Sequence, residues 1–413
     1  MSASDSSERA RLALVMVGLP ARGKTHMARR LERYLRWRGV NTQLFNVGNY
    51  RREHLGTAMP HEFFDPDNPE GRAARQSVAR LALDDMLLWF AEGGEVGIYD
   101  ATNTTRDRRR AVRDRLDAHG LEVVFIESVC EDEALIESNI RQTKLHMPDY
   151  SGVDPEAAVR DFRARIEHYA RAYEPLGDDE GSYVRVIDVG RRLEAEGIQG
   201  YLPSRLVYFL MNLHVSPRSI WLTRHGESLF NQENRVGGDP GLSPNGQAFA
   251  SALGAYVKKL DADPTRLRVW TSTLLRARTT AAALGLPVEE WRALDEIDAG
   301  DCDAMTYDEI RTAMPAEHAA RRANKLTYRY PRGESYRDVL HRLEPVIIEL
   351  ERERRDVLIV AHQAVLRALY AYLMDRPPSE VPYLPVPLHT LIRLTPITYA
   401  CEEQRIELGP SLA

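Results

Sequence analysis

Leu12-Ala13-Leu14-Val15-Met16-Val17 runs without a break into Gly18-Leu19-Pro20-Ala21-Arg22-Gly23-Lys24-Thr25. Six apolar residues that stop at a glycine read as a buried strand. The next eight fit G-x-x-x-x-G-K-[ST]. The two glycines let the backbone curl until successive N–H groups point at one phosphate, and a helix starting at Lys24 adds its positive end. Lys24 is placed to reach the β- and γ-phosphates of a nucleotide, and Thr25 to hold Mg²⁺. Strand, glycine loop and helix in this order predict an α/β fold with a parallel sheet.

The rest of the chain continues the pattern. Strands are expected at 43–47, 96–99, 122–128 and 184–189, and helices at 24–38, 72–90, 106–119 and 155–173. A second alternation begins near Arg218, with strands at 219–223, 268–270 and 356–360 and helices at 245–260, 274–284 and 336–354. The boundary is placed at Val215-Ser216-Pro217. This gives a disordered tail over 1–10, one domain over 11–215 and another over 216–413. At 413 residues, with 43% hydrophobic and 28% charged residues, the chain is long enough for two cores.

A net charge of -6 excludes a general nucleic-acid binder, which needs cations to neutralise a polyphosphate backbone. Cys130, Cys302 and Cys401 are far apart and odd in number, which suits reduced thiols in the cytoplasm. Asp5 and Glu8 precede the first apolar run, unlike the basic start of a signal peptide. No run approaches the length of a membrane span.

Asp100 ends the expected strand 96–99, where a carboxylate would face Mg²⁺ or an acceptor hydroxyl. Arg51 and Arg108 fall on the same side of the sheet and suggest a phosphorylated acceptor. In the second half, Leu222-Thr223-Arg224-His225-Gly226-Glu227-Ser228 follows a strand. A neutral imidazole can attack phosphorus, a flanking Arg can neutralise its oxygens, and Gly226 is read as leaving room for the phosphate. His362, after the strand 356–360, and Arg276 are candidates to clamp the phosphoryl group. Glu296 can donate a proton to the leaving oxygen if it carries one near neutral pH, and is preferred over Glu227. Residue chemistry alone stops at a phosphate-loop kinase joined to a histidine phosphatase.

These strings, with Asn46-Val-Gly-Asn-Tyr-Arg-Arg-Glu53, Asp100-Ala-Thr-Asn-Thr-Thr-Arg106, Glu127-Ser-Val-Cys130, Tyr330-Pro-Arg-Gly-Glu-Ser-Tyr336 and Pro387-Leu-His-Thr390, resemble the 6-phosphofructo-2-kinase/fructose-2,6-bisphosphatase family from about residue 11 to 402. The resemblance implies a P-loop-type kinase domain and a phosphoglycerate-mutase-like phosphatase domain in a cytoplasmic homodimer. It implies ATP with Mg²⁺ and fructose 6-phosphate as kinase substrates, and no cofactor for the phosphatase acting on fructose 2,6-bisphosphate. It assigns the loop from Gly18 through His26, with Asn139 and Lys144, to ATP. It assigns Arg51, Arg75, Thr102, Arg108, Lys144, Arg165 and Tyr169 to fructose 6-phosphate, and Asp100 and Cys130 to the kinase active site. Asn231 and Gly237 join Arg224 beside the transferred phosphoryl group, and Tyr307, Arg321, Lys325, Tyr336, Gln363 and Arg367 hold the rest of the bisphosphate. His26 and Met147 depart from the strings of animal members. With about ten residues before the first strand, phosphorylation control on a long tail is not expected. Three alternatives stay open: one dominant activity, nucleotide sensing without turnover, and a mutase fused to an unrelated kinase.

Overall fold

The computed structural model describes residues 11–57, 59–145, 147–214, 216–260, 266–397 and 400–409. The expected tail over 1–10 and the boundary residue Val215 lie outside them. The chain divides into two compact units, Met1–Val215 and Ser216–Ala413.

The first unit carries β1 (Leu12–Val17), β2 (Thr42–Asn46), β3 (Val96–Asp100), β4 (Glu122–Val129), β5 (Tyr183–Ile187) and β6 (Arg192–Glu196). They form one sheet in the order β2-β3-β1-β4-β5-β6. The first five are parallel, and β6 returns antiparallel on β5. Every residue of β1 is buried, as the central strand of a sheet covered on both faces must be. Ala82, Leu83, Met86 and Phe90 of the helix Pro69–Ala91 pack with Val15, Val17 and Tyr99 in one apolar cluster.

The second unit carries β7 (Ile220–Arg224), β8 (Leu267–Thr271), β9 (Val288–Glu290), β10 (Asp356–Ala361), β11 (Thr390–Pro396) and β12 (Cys401–Glu407). The order is β12-β11-β7-β10-β8-β9, with β7, β10, β8 and β9 parallel and β11 and β12 antiparallel. Both units are therefore α/β, with mainly parallel sheets and flanking helices.

The expected strand over 43–47 is corrected at its end. Val47 opens the helix Val47–Leu55, because the Asn46 side chain accepts the Asn49 N–H at 2.9 Å and caps it. Arg51 therefore sits on a helix.

Candidate active sites

In parallel sheets, ligands gather where the strands end. In the first unit, four neighbouring strands deliver their ends to one place. Asn46 and Asp100 are register partners on β2 and β3, and the Asn46 amide donates to Asp100 Oδ2 at 2.5 Å. Beside them the β1 loop turns through Gly18 at φ 129°, Ala21 at 58° and Gly23 at 84°. A methyl on Gly18 would also strike the Ser128 carbonyl at the end of β4, so no other residue fits there. Gly18 N–H donates to Thr102 O at 2.9 Å, which joins the loop to the segment after Asp100.

Gly23 is the N-cap of the helix Lys24–Trp37, and no side chain caps it. Its first amides therefore face the loop, ready for an anion. Lys24 Nζ donates to Leu19 O at 2.6 Å. Asn139 donates to Ala21 O at 3.1 Å, and Ser128 Oγ to Arg22 O, so the loop is held from the β4 side. Thr25 and His26 open the helix beside it. The Lys144 side chain lies outside the described residues.

The arginines assigned to an acceptor sit close to aromatic and acidic partners. Arg51 pairs with buried Asp149, which also takes Arg52 at 3.1 Å. Arg165 donates to Asp161 at 2.9 Å and to Met59 O at 2.6 Å, and lies 4.6 Å over the Phe64 ring. Arg75 donates to Phe63 O and to Asp65 O at 3.3 Å. Burial lowers the Arg75 pKa; Tyr169 opposes the shift and the nearby Arg108 and Arg72 charges add to it. Arg108 Nε donates to Asn103 at 3.0 Å, and fully buried Asn103 donates to Met16 O at 2.7 Å. Asn103 and Asp149 were not singled out from the sequence, yet they aim Arg108 and Arg51. Cys130 is buried among Ala21, Ile136, Ile140, Tyr150 and Phe162, and burial pushes its thiol pKa up. A neutral thiol in an apolar cluster is a packing group.

In the second unit, three adjacent strands supply the site. Arg224 on β7 is the register partner of Ala361 on β10, so the residues that follow, His225 and His362, stand side by side. His225 N–H donates to Ala361 O at 2.9 Å, and the ring centroids are 5.0 Å apart. Next to β10, β8 ends at Thr271, and Ser272 and Arg276 follow.

His225 Nδ1 lies 2.7 Å from Gly226 O. A carbonyl only accepts, so Nδ1 carries the proton and Nε2 keeps its lone pair. Arg276 Nε donates to that Nε2 at 3.2 Å, while its NH1 donates to Gly238 O at 2.7 Å. Burial, with the Arg276 and Arg224 charges, drives the His225 pKa well below the ordinary imidazole value. The result is a neutral, buried imidazole whose unprotonated Nε2 accepts from Arg276.

His362 is fully buried and also held neutral, by burial first and then by Arg276. Its Nε2 lies 2.6 Å from Ser272 Oγ. Its Nδ1 and the Nε of Arg224 are buried without a hydrogen-bond partner. An orphaned buried polar atom costs about 1–3 kcal/mol, so two on one site need a reason. A phosphoryl group, rich in acceptor oxygens, supplies it. Burial also pushes the Arg224 pKa down to about 10, with the Glu296 carboxylate opposing the shift.

Glu296 Oε1 accepts from Ile297 N–H at 2.9 Å and from Ala364 N–H at 3.1 Å. Oε2 is more loosely held, with the Ala364 amide 3.5 Å away. Glu227 is engaged elsewhere, accepting from Ser243 Oγ at 2.6 Å and Gln232 at 3.1 Å.

The reading of Gly226 needs correction. A methyl there would strike Gly246 O, and one on Gly246 would strike Glu227 O. The missing side chain lets two backbones cross; it does not make room for phosphate. Thr280, which nothing in the sequence marked, accepts the Gly226 N–H at 2.9 Å and donates to Arg276 O at 2.7 Å. It ties the nucleophile loop to the arginine helix.

Around this centre lies a cationic group. Arg321 donates to Tyr330 OH at 2.8 Å and Tyr307 OH at 2.9 Å. Lys325 Nζ donates to Pro382 O at 3.1 Å, and Arg367 donates to Tyr336 OH at 3.1 Å and Leu384 O at 2.7 Å. Burial, then Arg321 and Arg367, lowers the Lys325 pKa to about 8. Asn231 spends its side-chain oxygen on Ser228 N–H at 2.9 Å, in a capping box. Gly237, at φ 69°, leaves no room for a side chain against Asp303. Gln363 opens the helix Gln363–Leu373 directly after His362.

Residues 1–217 match the family model described as 6-phosphofructo-2-kinase, and residues 220–408 match that of the histidine phosphatase superfamily, branch 1. The chain is 51% identical over 403 residues to a 6-phosphofructo-2-kinase/fructose-2,6-bisphosphatase of Arabidopsis thaliana, covering 96% of this chain and 54% of that one. It is 49% identical over 400 residues to the protein of that name from Gallus gallus, covering 96% and 84%. It is also 49% identical over 400 residues to 6-phosphofructo-2-kinase/fructose-2,6-bisphosphatase 4 of Homo sapiens, covering 96% and 85%. The chain thus spans about half the length of the plant protein and most of the animal ones.

Proposed function

The chain belongs to the 6-phosphofructo-2-kinase/fructose-2,6-bisphosphatase family, and from that premise we propose that it both makes and breaks fructose 2,6-bisphosphate, one reaction in each unit. The observation that carries the hydrolytic half is the His225 tautomer, fixed by Gly226 O, with Arg276 on the unprotonated nitrogen.

In the first unit, the glycine loop and Lys24 bind the ATP phosphates, and Arg51, Arg75, Arg108 and Arg165 hold fructose 6-phosphate. The 2-hydroxyl of the sugar attacks the γ-phosphorus, the bond to the β-phosphate oxygen breaks, and the hydroxyl proton leaves toward Asp100. Positioning and charge neutralisation supply most of the rate in such transfers. The Thr25 hydroxyl and the buried Asp100 carboxylate suit Mg²⁺, which prefers few protein oxygens plus phosphates and water. When bound, Mg²⁺ would neutralise charge on the phosphates. Cys130 packs the floor of the loop.

In the second unit, His225 Nε2 attacks the 2-phosphorus. Arg224, Arg276 and His362 hold the phosphoryl oxygens, and Ser272 keeps His362 in its donor tautomer. As the phosphorus–oxygen bond breaks, Glu296 Oε2 gives its proton to the sugar oxygen. Water then attacks the phosphohistidine, passing its proton to Glu296, and phosphate leaves. Arg321, Lys325 and Arg367 hold the distal phosphate.

The test is to incubate the protein with ATP labelled in the γ-position and fructose 6-phosphate. Label should enter an acid-labile sugar bisphosphate and then appear as phosphate, with a base-stable, acid-labile protein adduct between. ATP binding without any transfer would leave a sensor. Exchange of label between glycerate positions, with no preference for the fructose bisphosphate, would make the second unit a mutase. Light scattering checks the homodimer that the same reading includes.

A further inference from the structure

Glu296 does not lie on a helix or a strand. It follows the short turn Arg292–Leu294, in a segment that reaches Gly300 without regular structure. Such a segment needs its backbone groups satisfied from outside. One side chain does most of this. Arg342, on the helix Tyr336–Arg352, donates to Ala293 O at 2.5 Å, Asp295 O at 2.7 Å and Glu296 O at 3.2 Å. The same guanidinium grips Glu334 at 2.8 and 3.1 Å. Glu334 Oε2 in turn accepts the Asp298 N–H at 3.0 Å, and Glu334 N–H donates to Asp298 O at 2.9 Å. At the other side Asp295 accepts the Thr273 N–H at 2.8 Å, one residue after Ser272. The Arg342 charge is also felt at buried His362.

We propose that Arg342 is a positioning residue for the phosphatase reaction: it clamps the 293–296 backbone so that Glu296 Oε2 faces the leaving oxygen. The planar fork is what the task requires. Three carbonyls and one carboxylate are gripped at once, and a lysine ammonium on its single stem cannot match that geometry. The hydrogen bonds of Arg342 go to the 293–296 backbone and to Glu334, so it acts through Glu296. The proposal rests on Glu296 being the proton donor.

The test is a double-mutant cycle in the full-length chain, read as kcat and KM for fructose 2,6-bisphosphate, with kinase activity as the folding control. Arg342→Met should lower kcat about 100-fold, the scale of a misplacement near 1 Å, and leave KM near its original value. On a Glu296→Gln background the same substitution should cost less than about 3-fold more, because both changes remove one function. Arg342→Ala should regain part of its kcat with added guanidinium, and Arg342→Lys should fall between. If Arg342→Met does not fold, Arg342→Lys carries the cycle. Full additivity with Glu296→Gln, or a loss carried by KM, overturns the proposal. If Glu296→Gln itself keeps full kcat, the proton-donor reading fails first, and the Arg342 proposal falls with it.

Discussion

The two units differ in the groups that meet the transferred phosphate, although Lys325 and Arg367 of the second also hold protein carbonyls. In the first, the charged groups assigned to phosphate already hold protein oxygens: Lys24 on Leu19 O, Arg51 on Asp149, Arg165 on Asp161 and Arg75 on Phe63 O. In the second, His362 Nδ1 and Arg224 Nε are buried with no partner, and Arg276 is pinned onto the nucleophile. A ligand entering the first site must exchange one set of acceptors for another. A phosphoryl group entering the second satisfies donors that were already in place. The difference fits the chemistry. A transfer between two bound substrates assembles when both arrive, whereas a covalent step on a protein nitrogen can be organised in advance.

Separating the two activities is the strongest way to break the comparison. His225→Ala should lower hydrolysis by on the order of 10⁴-fold or more and leave ATP-dependent phosphorylation intact. Lys24→Ala should abolish phosphorylation and spare hydrolysis. Loss of both activities in either well-folded variant would sink the two-site reading.

A second prediction concerns pH. Lys325 is depressed to about 8, so its charge is present below that pH and fades above it. The KM for fructose 2,6-bisphosphate should rise roughly 10-fold between pH 7 and pH 9, the scale of one charge-assisted contact. Lys325→Arg should flatten the rise. A rise that persists in Lys325→Arg refutes the assignment.

The smallest expected effect sharpens the idea of advance organisation. His225 and His362 have folded-state values far below 6.5, so the unfolded chain binds more protons below that pH. Their contribution is intact above 6.5 and is lost as the pH falls. Thermal unfolding at pH 7.5 and pH 5.5 should show the second unit losing more midpoint than the first. In His362→Gln that difference should shrink.

Much of this was legible in the sequence. The central strand at 12–17 coincides with β1, and the helix at 155–173 with Pro155–Arg171. Unbroken apolar runs and glycine stops are local signals. The strands β6, β9, β11 and β12 were not. Arg192–Glu196 is a mostly exposed edge strand of charged residues, and its pairing depends on β5. The residues that do the chemistry were visible because their types are rare at strand ends. Those that orient them were not: Ser272, Thr280, Asn103 and Arg342 have ordinary types at ordinary positions. Only the fold brings them to His362, Gly226, Arg108 and the Glu296 segment.

The crossing of Gly226 and Gly246 has a consequence for anyone who alters this protein. Neither residue is assigned a ligand, and a scan for functional groups would pass over both. Yet Gly246 O fills the space a methyl on Gly226 would need, and Glu227 O fills the space for one on Gly246. A saturation library should therefore show two intolerant positions with no chemistry of their own, and directed evolution of the phosphatase would have to work around them.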